Sequence, residues 1–173
     1  MNMHPPVTSL RSRLSDIFSG LQSQARRRAL WSRLTGRIMR LEMFPEEAPE
    51  KSQNRTYTAR EEISLKQIIG TLSRQEDFDR QFRPLKGYLR DRWVNTYLAL
   101  EREGWEPILV HKVGDRYYVE DGHHRVSVAR WLSMTTIPAN VWEYPVQVQS
   151  AKECHLTPCP ELSSSTVYAG VTD

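Results

Sequence analysis

The sequence predicts an α+β domain preceded by a basic helical arm, and three observations support this prediction. Apolar residues recur at helical spacing in residues 10–41 and again in residues 89–100. Two short apolar runs flank Val113-Gly114-Asp115, which is typical of a β-hairpin. A last strand is predicted over residues 136–144.

The length and composition suit one domain of ordinary size with extensions at its ends, because the chain has 173 residues, of which 39% are hydrophobic. No stretch approaches the roughly 20 apolar residues of a membrane span. The two cysteines, Cys154 and Cys159, give no disulfide framework, and this usage indicates a reducing compartment, the cytoplasm. Together with His155 they resemble half of a zinc site, but no second pair completes it, so no metal site is predicted.

Residues 1–44 form the predicted arm, a helical segment with a strong positive charge. From Leu10 to Leu41, eight arginines stand against one acid, Asp16, so this segment carries +7 within a chain total of +3. Two glycines, Gly20 and Gly36, weaken the helix and can divide it. The arm is expected to bind nucleic acid without reading its sequence, through Arg26, Arg27, Arg28, Arg33, Arg37 and Arg40.

Other anionic partners suit the same arm. An acidic protein face or an anionic membrane surface would also attract its arginines, and its apolar Leu and Trp side chains are compatible with a homodimer. An Arg-rich, acid-poor N-terminus also describes an organellar transit peptide, but the helical pattern favours a structural arm.

Residues 45–59 are polar and contain prolines, so they are interpreted as a linker before a core domain at residues 60–144. A strand with a turn of helix is predicted at residues 62–69, a charged irregular stretch at 77–84 and an amphipathic helix closed by Gly104 at 89–102. Two hairpin strands follow at 107–112 and 116–120, and then a helix at 126–132 and a last strand at 136–144. Asp77 and Asp79 are interpreted as a solvated loop, and Trp93 and Tyr97 as core. Residues 145–173 lack periodicity and are predicted to form an extended or disordered tail.

The most informative feature is the turn between the second hairpin strand and the next helix, residues 121–125 (DGHHR). A glycine at such a turn lets the backbone approach a ligand, and a helix start offers unpaired N–H groups to an anion. The candidate phosphate-binding residues are therefore Gly122, His123, His124 and Arg125. The adjacent carboxylates, Glu120 and Asp121, are the candidate catalytic residues, which would hold a metal ion or accept a proton. The alternative is that Asp121 caps the helix and the histidines lie on a solvated first turn.

The stretch from Pro107 to Tyr144 resembles the core of the ParB/sulfiredoxin superfamily. The motifs of that family are a strand hairpin, a G-x-[HR]-R turn with its helix, and a closing IP-x-x-V strand, which are similar to residues 107–120, 122–130 and 137–141. An opening I-x-L-x-x-I element is similar to residues 63–68. The resemblance covers residues 62–144, about half of the chain. It implies a small mixed sheet with packed helices.

Members of this superfamily differ at the turn. Sulfiredoxins place a catalytic cysteine where this chain has His123, so the resemblance does not imply their reductase chemistry. ParB proteins bind the triphosphate of CTP through a G-x-R-R turn, and a free-serine kinase branch has D-G-H-T-R, similar to residues 121–125. The resemblance implies phosphate binding here, with a nucleoside triphosphate and Mg²⁺ as the candidate cofactor. Residues after 145 offer no counterpart of the helix-turn-helix domain of ParB, which argues against sequence-specific partition activity.

Three functions are consistent with these features. The first is a nucleotide- or phosphate-binding protein that associates with nucleic acid through its arm. The second is a metal-dependent phosphotransferase or nuclease-like phosphohydrolase acting at residues 121–125, with Glu120 or Asp121 as base and Arg125 stabilising charge. The third is an interaction module whose arm docks onto a protein or an anionic membrane.

Overall fold

The computed structural model describes residues 7–36, 39–45 and 56–144 of the chain. Three helices are present in this part: α1 (Val7–Thr35), α2 (Arg90–Glu103) and α3 (His123–Trp131). The strands are β1 (Glu42–Met43), β2 (Thr56–Ser64), β3 (Ile68–Thr71), β4 (Ile108–Val113), β5 (Arg116–Asp121) and β6 (Thr136–Tyr144). Single turns of 3₁₀ helix lie at Leu65–Gln67 and Gly87–Leu89.

The strands form one mixed sheet in the order β1-β3-β5-β4-β6-β2. Two pairs are antiparallel, β4 with β5 and β2 with β6, and the other neighbours are parallel. The pairing of Val113 with Arg116 confirms the hairpin, but Val113 belongs to β4 and the turn consists of Gly114 and Asp115 alone. The fold is therefore α+β with a mixed sheet, as predicted.

Strand alternation gives the sheet two different faces. The larger cluster lies on the helical face, where the sheet residues Ile108, Val110 and Val119 join residues of the helices, among them Phe18 and Trp93. The opposite face carries a smaller aromatic cluster of Phe44, Tyr118 and Tyr144. The start of α3 follows directly on the end of β5, at the edge of the helical face.

The structure corrects the prediction for the arm. Residues 10–41 were expected to be helical, with Gly20 and Gly36 as positions that can divide the helix; α1 continues through Gly20 and ends at Thr35, directly before Gly36. Gly36 follows with a φ of 67°, the left-handed conformation that commonly terminates a helix. Arg40 and Leu41 lie beyond the helix, so the arginines of the arm do not all belong to one helix, and Arg37 lies outside the described residues.

The first part of α1 packs on the domain, where Leu14, Phe18 and Ala25 are buried. The ring of Phe18 meets Trp93 of α2 edge-on, with ring centroids 6.1 Å apart. The core predicted at Trp93 is confirmed, since this side chain is fully buried.

Smaller differences concern the edges of elements. Strand β2 begins at Thr56, four residues inside the predicted linker, and α3 begins at His123 rather than Val126. Asp79 is not part of a solvated loop: it is 2% exposed and accepts the backbone N–H groups of Gln81 and Arg83.

Most of the predicted linker, residues 46–55, and the whole predicted tail at 145–173, with Cys154 and Cys159, lie outside the described residues. Among the helices of the described part, none has the length and apolar character to cross a bilayer.

Candidate functional site

The turn at Gly122 is fixed by a close neighbour. Gly122 is the N-cap residue of α3 and has a φ of 101°. A Cβ atom at this position would lie 2.4 Å from Cγ2 of Ile108, so both the conformation and the space require glycine. The sequence interpretation attributed this glycine to a ligand, but its hydrogen faces Ile108 of β4. The alternative that Asp121 caps α3 is wrong, because Gly122 occupies that position.

His123 is buried and anchored. Its Nε2 atom lies 2.7 Å from Oγ1 of Thr71, and its ring stacks on Phe78. The Thr71 hydroxyl already accepts the backbone N–H groups of Ser73 and Arg74, so its own hydrogen is donated to Nε2. The neutral ring therefore carries its proton on Nδ1. Burial, and then the charge of Arg74, lower the pKa of His123 to about 4.

His124 is also buried, at 6% exposure, but neither of its ring nitrogens has a hydrogen-bond partner among the described residues. Burial, followed by the charges of Arg92 and Arg74, lowers its pKa to about 4, so the ring is neutral near pH 7. A neutral imidazole has one N–H donor and one acceptor, and leaving both buried and unpaired costs free energy. The alternative of a solvated first turn is therefore wrong for both histidines.

Arg125 holds the ends of two elements together. Its Nη1 atom donates to the carbonyl oxygens of Glu106 and Pro107 at 2.6 and 2.8 Å, just before β4. Its Nη2 atom donates to Oδ2 of Asp121 at 2.6 Å. Most of its donors are thus engaged within the fold.

A small cavity of about 70 Å³ opens at the start of α3. It joins all four predicted phosphate-binding residues to Asp121 and to three residues from elsewhere in the chain, Arg74, Thr96 and Arg92. Arg74 forms an ion pair with Asp77 at 3.1 Å. The side chain of Arg92, on α2, has no ion-pair partner among the described residues. With both histidines neutral, the arginines give this cavity a positive lining.

Sequence reasoning missed Arg74 and Arg92. They lie about 50 and 30 residues before the turn, and only the packing of α2 and of the segment after β3 beside α3 brings them to it. The polar face of the predicted helix at residues 89–102 offered a weak signal for Arg92.

The two predicted catalytic carboxylates do not converge. Glu120 and Asp121 are neighbours on β5, so their side chains lie on opposite faces of the sheet. Glu120 Oε2 lies 2.6 Å from Nε2 of the buried His111, whose Nδ1 lies 2.7 Å from the hydroxyl of Tyr144. Glu120 and Asp121 therefore do not come together as ligands of one metal ion, and the described part of the chain contains no cluster of three or more metal-ligating side chains.

The arginines of the arm lie away from this cavity. Five of the six predicted nucleic-acid contacts fall in the described residues and are exposed: Arg26, Arg27, Arg28, Arg33 and Arg40. Arg40 forms an ion pair with Glu76 at 2.9 Å, and Arg28 donates to Gln81 at 3.2 Å.

Comparison with known proteins does not assign this chain to a family. No family model matches the chain, and no curated protein matches it. Among solved structures, sulfiredoxin from Arabidopsis thaliana is similar, with 22% sequence identity and a TM-score of 0.37 over 49% of this chain and 84% of that one. A similarity this low carries no argument about function, and family membership remains a prediction.

Proposed function

We propose that this protein binds a nucleotide or another small phosphorylated ligand through a phosphate group at the start of α3. The observation that carries the proposal is His124, which lines the cavity beside Arg74 and Arg92 and whose two buried ring nitrogens have no hydrogen-bond partner among the described residues. The resemblance of residues 62–144 to the ParB/sulfiredoxin superfamily, in which this turn binds phosphate, points the same way.

The chemistry of the cavity suits a phosphate. The first N–H groups of α3 have no partners within the helix, and its dipole favours an anion at this end. Arg92 supplies a charge that is not neutralised by an ion pair in the described residues, and His124 can donate one N–H. Bound phosphate would therefore satisfy groups that the folded chain leaves unpaired.

If the ligand is a nucleoside triphosphate, Mg²⁺ would accompany it. Asp121 is the carboxylate that lines the cavity, and it is already paired with Arg125. A Mg²⁺ ion would supply charge neutralisation while being held largely by the phosphates themselves, as is common for this ion.

The arrangement favours binding over phosphoryl transfer. A transferase or hydrolase needs a base that faces the phosphate. Glu120 lies on the other face of the sheet, and Arg125 holds Asp121. Replacing Asp121 by Asn should therefore leave phosphate affinity unchanged or raise it, because one negative charge leaves the lining. A nucleotide turnover that disappears in Asp121→Asn would instead establish the enzyme.

Thermal shift assays with inorganic phosphate, pyrophosphate and nucleoside mono-, di- and triphosphates, with and without Mg²⁺, test the proposal. A ligand at about 100 times its Kd adds about 2.7 kcal/mol to the unfolding free energy, which corresponds to roughly 5–10 °C in Tm. Arg92→Ala should remove most of this shift, whereas Arg102→Ala, an exposed arginine of the same helix, should not. Insensitivity of the native protein to every phosphate would refute phosphate binding.

Association with nucleic acid through the arm remains a prediction. Arg26, Arg27 and Arg33 are exposed, as such binding requires. Contacts with phosphates alone do not explain the large apolar side chains beside them.

A further inference from the structure

The last turns of α1 expose three large apolar side chains. Leu30, Trp31 and Leu34 are 61%, 68% and 81% exposed. The same helix buries Leu14, Phe18 and Ala25 in the core, so the three exposed side chains are not part of that core.

Helical geometry places these side chains together. At about 100° per residue, Leu30, Trp31 and Leu34 fall within an arc of about 100° on the side of α1 opposite Ala25. They form one outward stripe, and we call it the apolar stripe.

Arginines surround the apolar stripe. Arg27 lies within the same arc, Arg26 and Arg33 follow one border, and Arg28 follows the other. The one acid of α1, Asp16, lies four turns before Leu30. A groove of about 540 Å³, lined among others by Arg27, Arg28 and Trp31, runs beside the stripe. The surface thus combines exposed apolar groups with arginines that form no ion pair with the described residues.

We propose that the apolar stripe and its arginines dock this protein onto an anionic membrane surface. In such a complex α1 lies in the plane of the interface, with Leu30, Trp31 and Leu34 inserted below the headgroups and the arginines paired with lipid phosphates. The proposal is independent of the phosphate site at α3, because none of these residues lines that cavity.

Charge and shape favour a lipid surface over the other occupants. A second copy would set Arg27 and Arg33 against the same arginines, and like charges repel. A nucleic acid would engage the arginines but leave Leu30 and Leu34 in water. A specific protein interface usually takes about 20–30 residues from each side, whereas this stripe is one convex helix face. A lipid surface needs no matching shape.

Co-sedimentation of the full chain with vesicles tests the proposal. The protein should bind vesicles that contain about 30% phosphatidylglycerol in phosphatidylcholine, bind pure phosphatidylcholine far less, and release as salt rises. Leu30→Ser with Leu34→Ser should lower the partition coefficient about tenfold or more, because the inserted apolar area is lost. Arg27→Glu with Arg33→Glu should also release the protein.

Matched controls separate docking from general effects. Leu132→Ser removes an exposed leucine elsewhere, and Arg13→Glu reverses an exposed arginine in the first half of α1. Both should bind as the native chain does. All replaced side chains of the stripe are exposed, so each variant should keep the native thermal midpoint. A blue shift of tryptophan emission on vesicle binding should disappear in Trp31→Phe.

Several outcomes would overturn the proposal. The first is that the native protein fails to bind acidic vesicles, and the second is that the Leu30→Ser, Leu34→Ser variant binds them as well as the native chain does. The third such outcome is that the two control variants lose as much vesicle binding as the stripe variants do. Binding of oligonucleotides without vesicle binding would assign the surface to nucleic acid. A dimer that dissociates in the Leu30→Ser, Leu34→Ser variant, again without vesicle binding, would assign it to self-association.

Discussion

His123 and His124 are consecutive in the chain and equally buried, yet their surroundings give them different properties. Thr71 satisfies Nε2 of His123 and fixes its tautomer, so this ring anchors the start of α3 to the end of β3. His124 has no such partner among the described residues and faces two arginines. The first histidine positions the turn, whereas both ring nitrogens of the second have no hydrogen-bond partner among the described residues.

Both histidines make the stability of the fold depend on pH. Their pKa values are about 4 in the folded protein, below the ordinary value of 6.5. The unfolded chain therefore binds more protons in this window, and stability is lost as pH falls from about 6.5 towards 4. We expect the unfolding free energy to drop by about 2 kcal/mol per histidine between about pH 7 and pH 5, measured by urea denaturation.

A variant isolates the contribution of one ring. His124→Phe keeps the size of the side chain and cannot ionise, so it should lose about half of this pH dependence. Side-chain NMR titration gives the two pKa values directly and does not rely on the variant. Values near 6.5 for both rings would contradict the expectation.

At the scale of elements, the helices and turns that depend on local periodicity and turn chemistry could be predicted from the sequence. The hairpin turn at Gly114-Asp115 and helix α2 follow directly from local patterns. The start of α3 was placed three residues late, because His123 and His124 look solvated until Thr71 and Phe78 cover them. Strand β1 is two residues long and, within the described part of the chain, pairs only with β3, so no local pattern could reveal it.

Two glycines allow a matched comparison of an element boundary with an element interior. Gly122→Ala should destabilise the protein by about 2–4 kcal/mol, because its Cβ meets Ile108 at a positive φ. Gly20→Ala has no atom within 4 Å of its Cβ and sits inside α1, so it should stabilise by about 0.5–1 kcal/mol. Denaturant unfolding measures both. Equal effects of the two substitutions would show that the contact with Ile108 does not constrain the turn.

At the scale of the whole molecule, only part of the candidate site could be predicted from the sequence. Residues 121–125 are contiguous and could be read as a turn. Arg74 and Arg92 could not be predicted as neighbours of this turn, because they reach the cavity only through tertiary packing. The two candidate catalytic carboxylates, Glu120 and Asp121, lie apart for a local reason, because adjacent residues of a strand place their side chains on opposite faces of the sheet.

The arm and the domain share one core, and this leads to a last prediction. Phe18 is fully buried against Trp93, whereas Leu34 on the same helix is 81% exposed. Phe18→Ala should cost about 3–5 kcal/mol of unfolding free energy through the cavity it leaves, and Leu34→Ala should change it by less than about 0.5 kcal/mol. Denaturation followed by tryptophan fluorescence and by helical circular dichroism should show one shared transition for the native chain. If Phe18→Ala instead costs little, or if α1 melts in a separate step, the first half of α1 is an appendage and not part of the core.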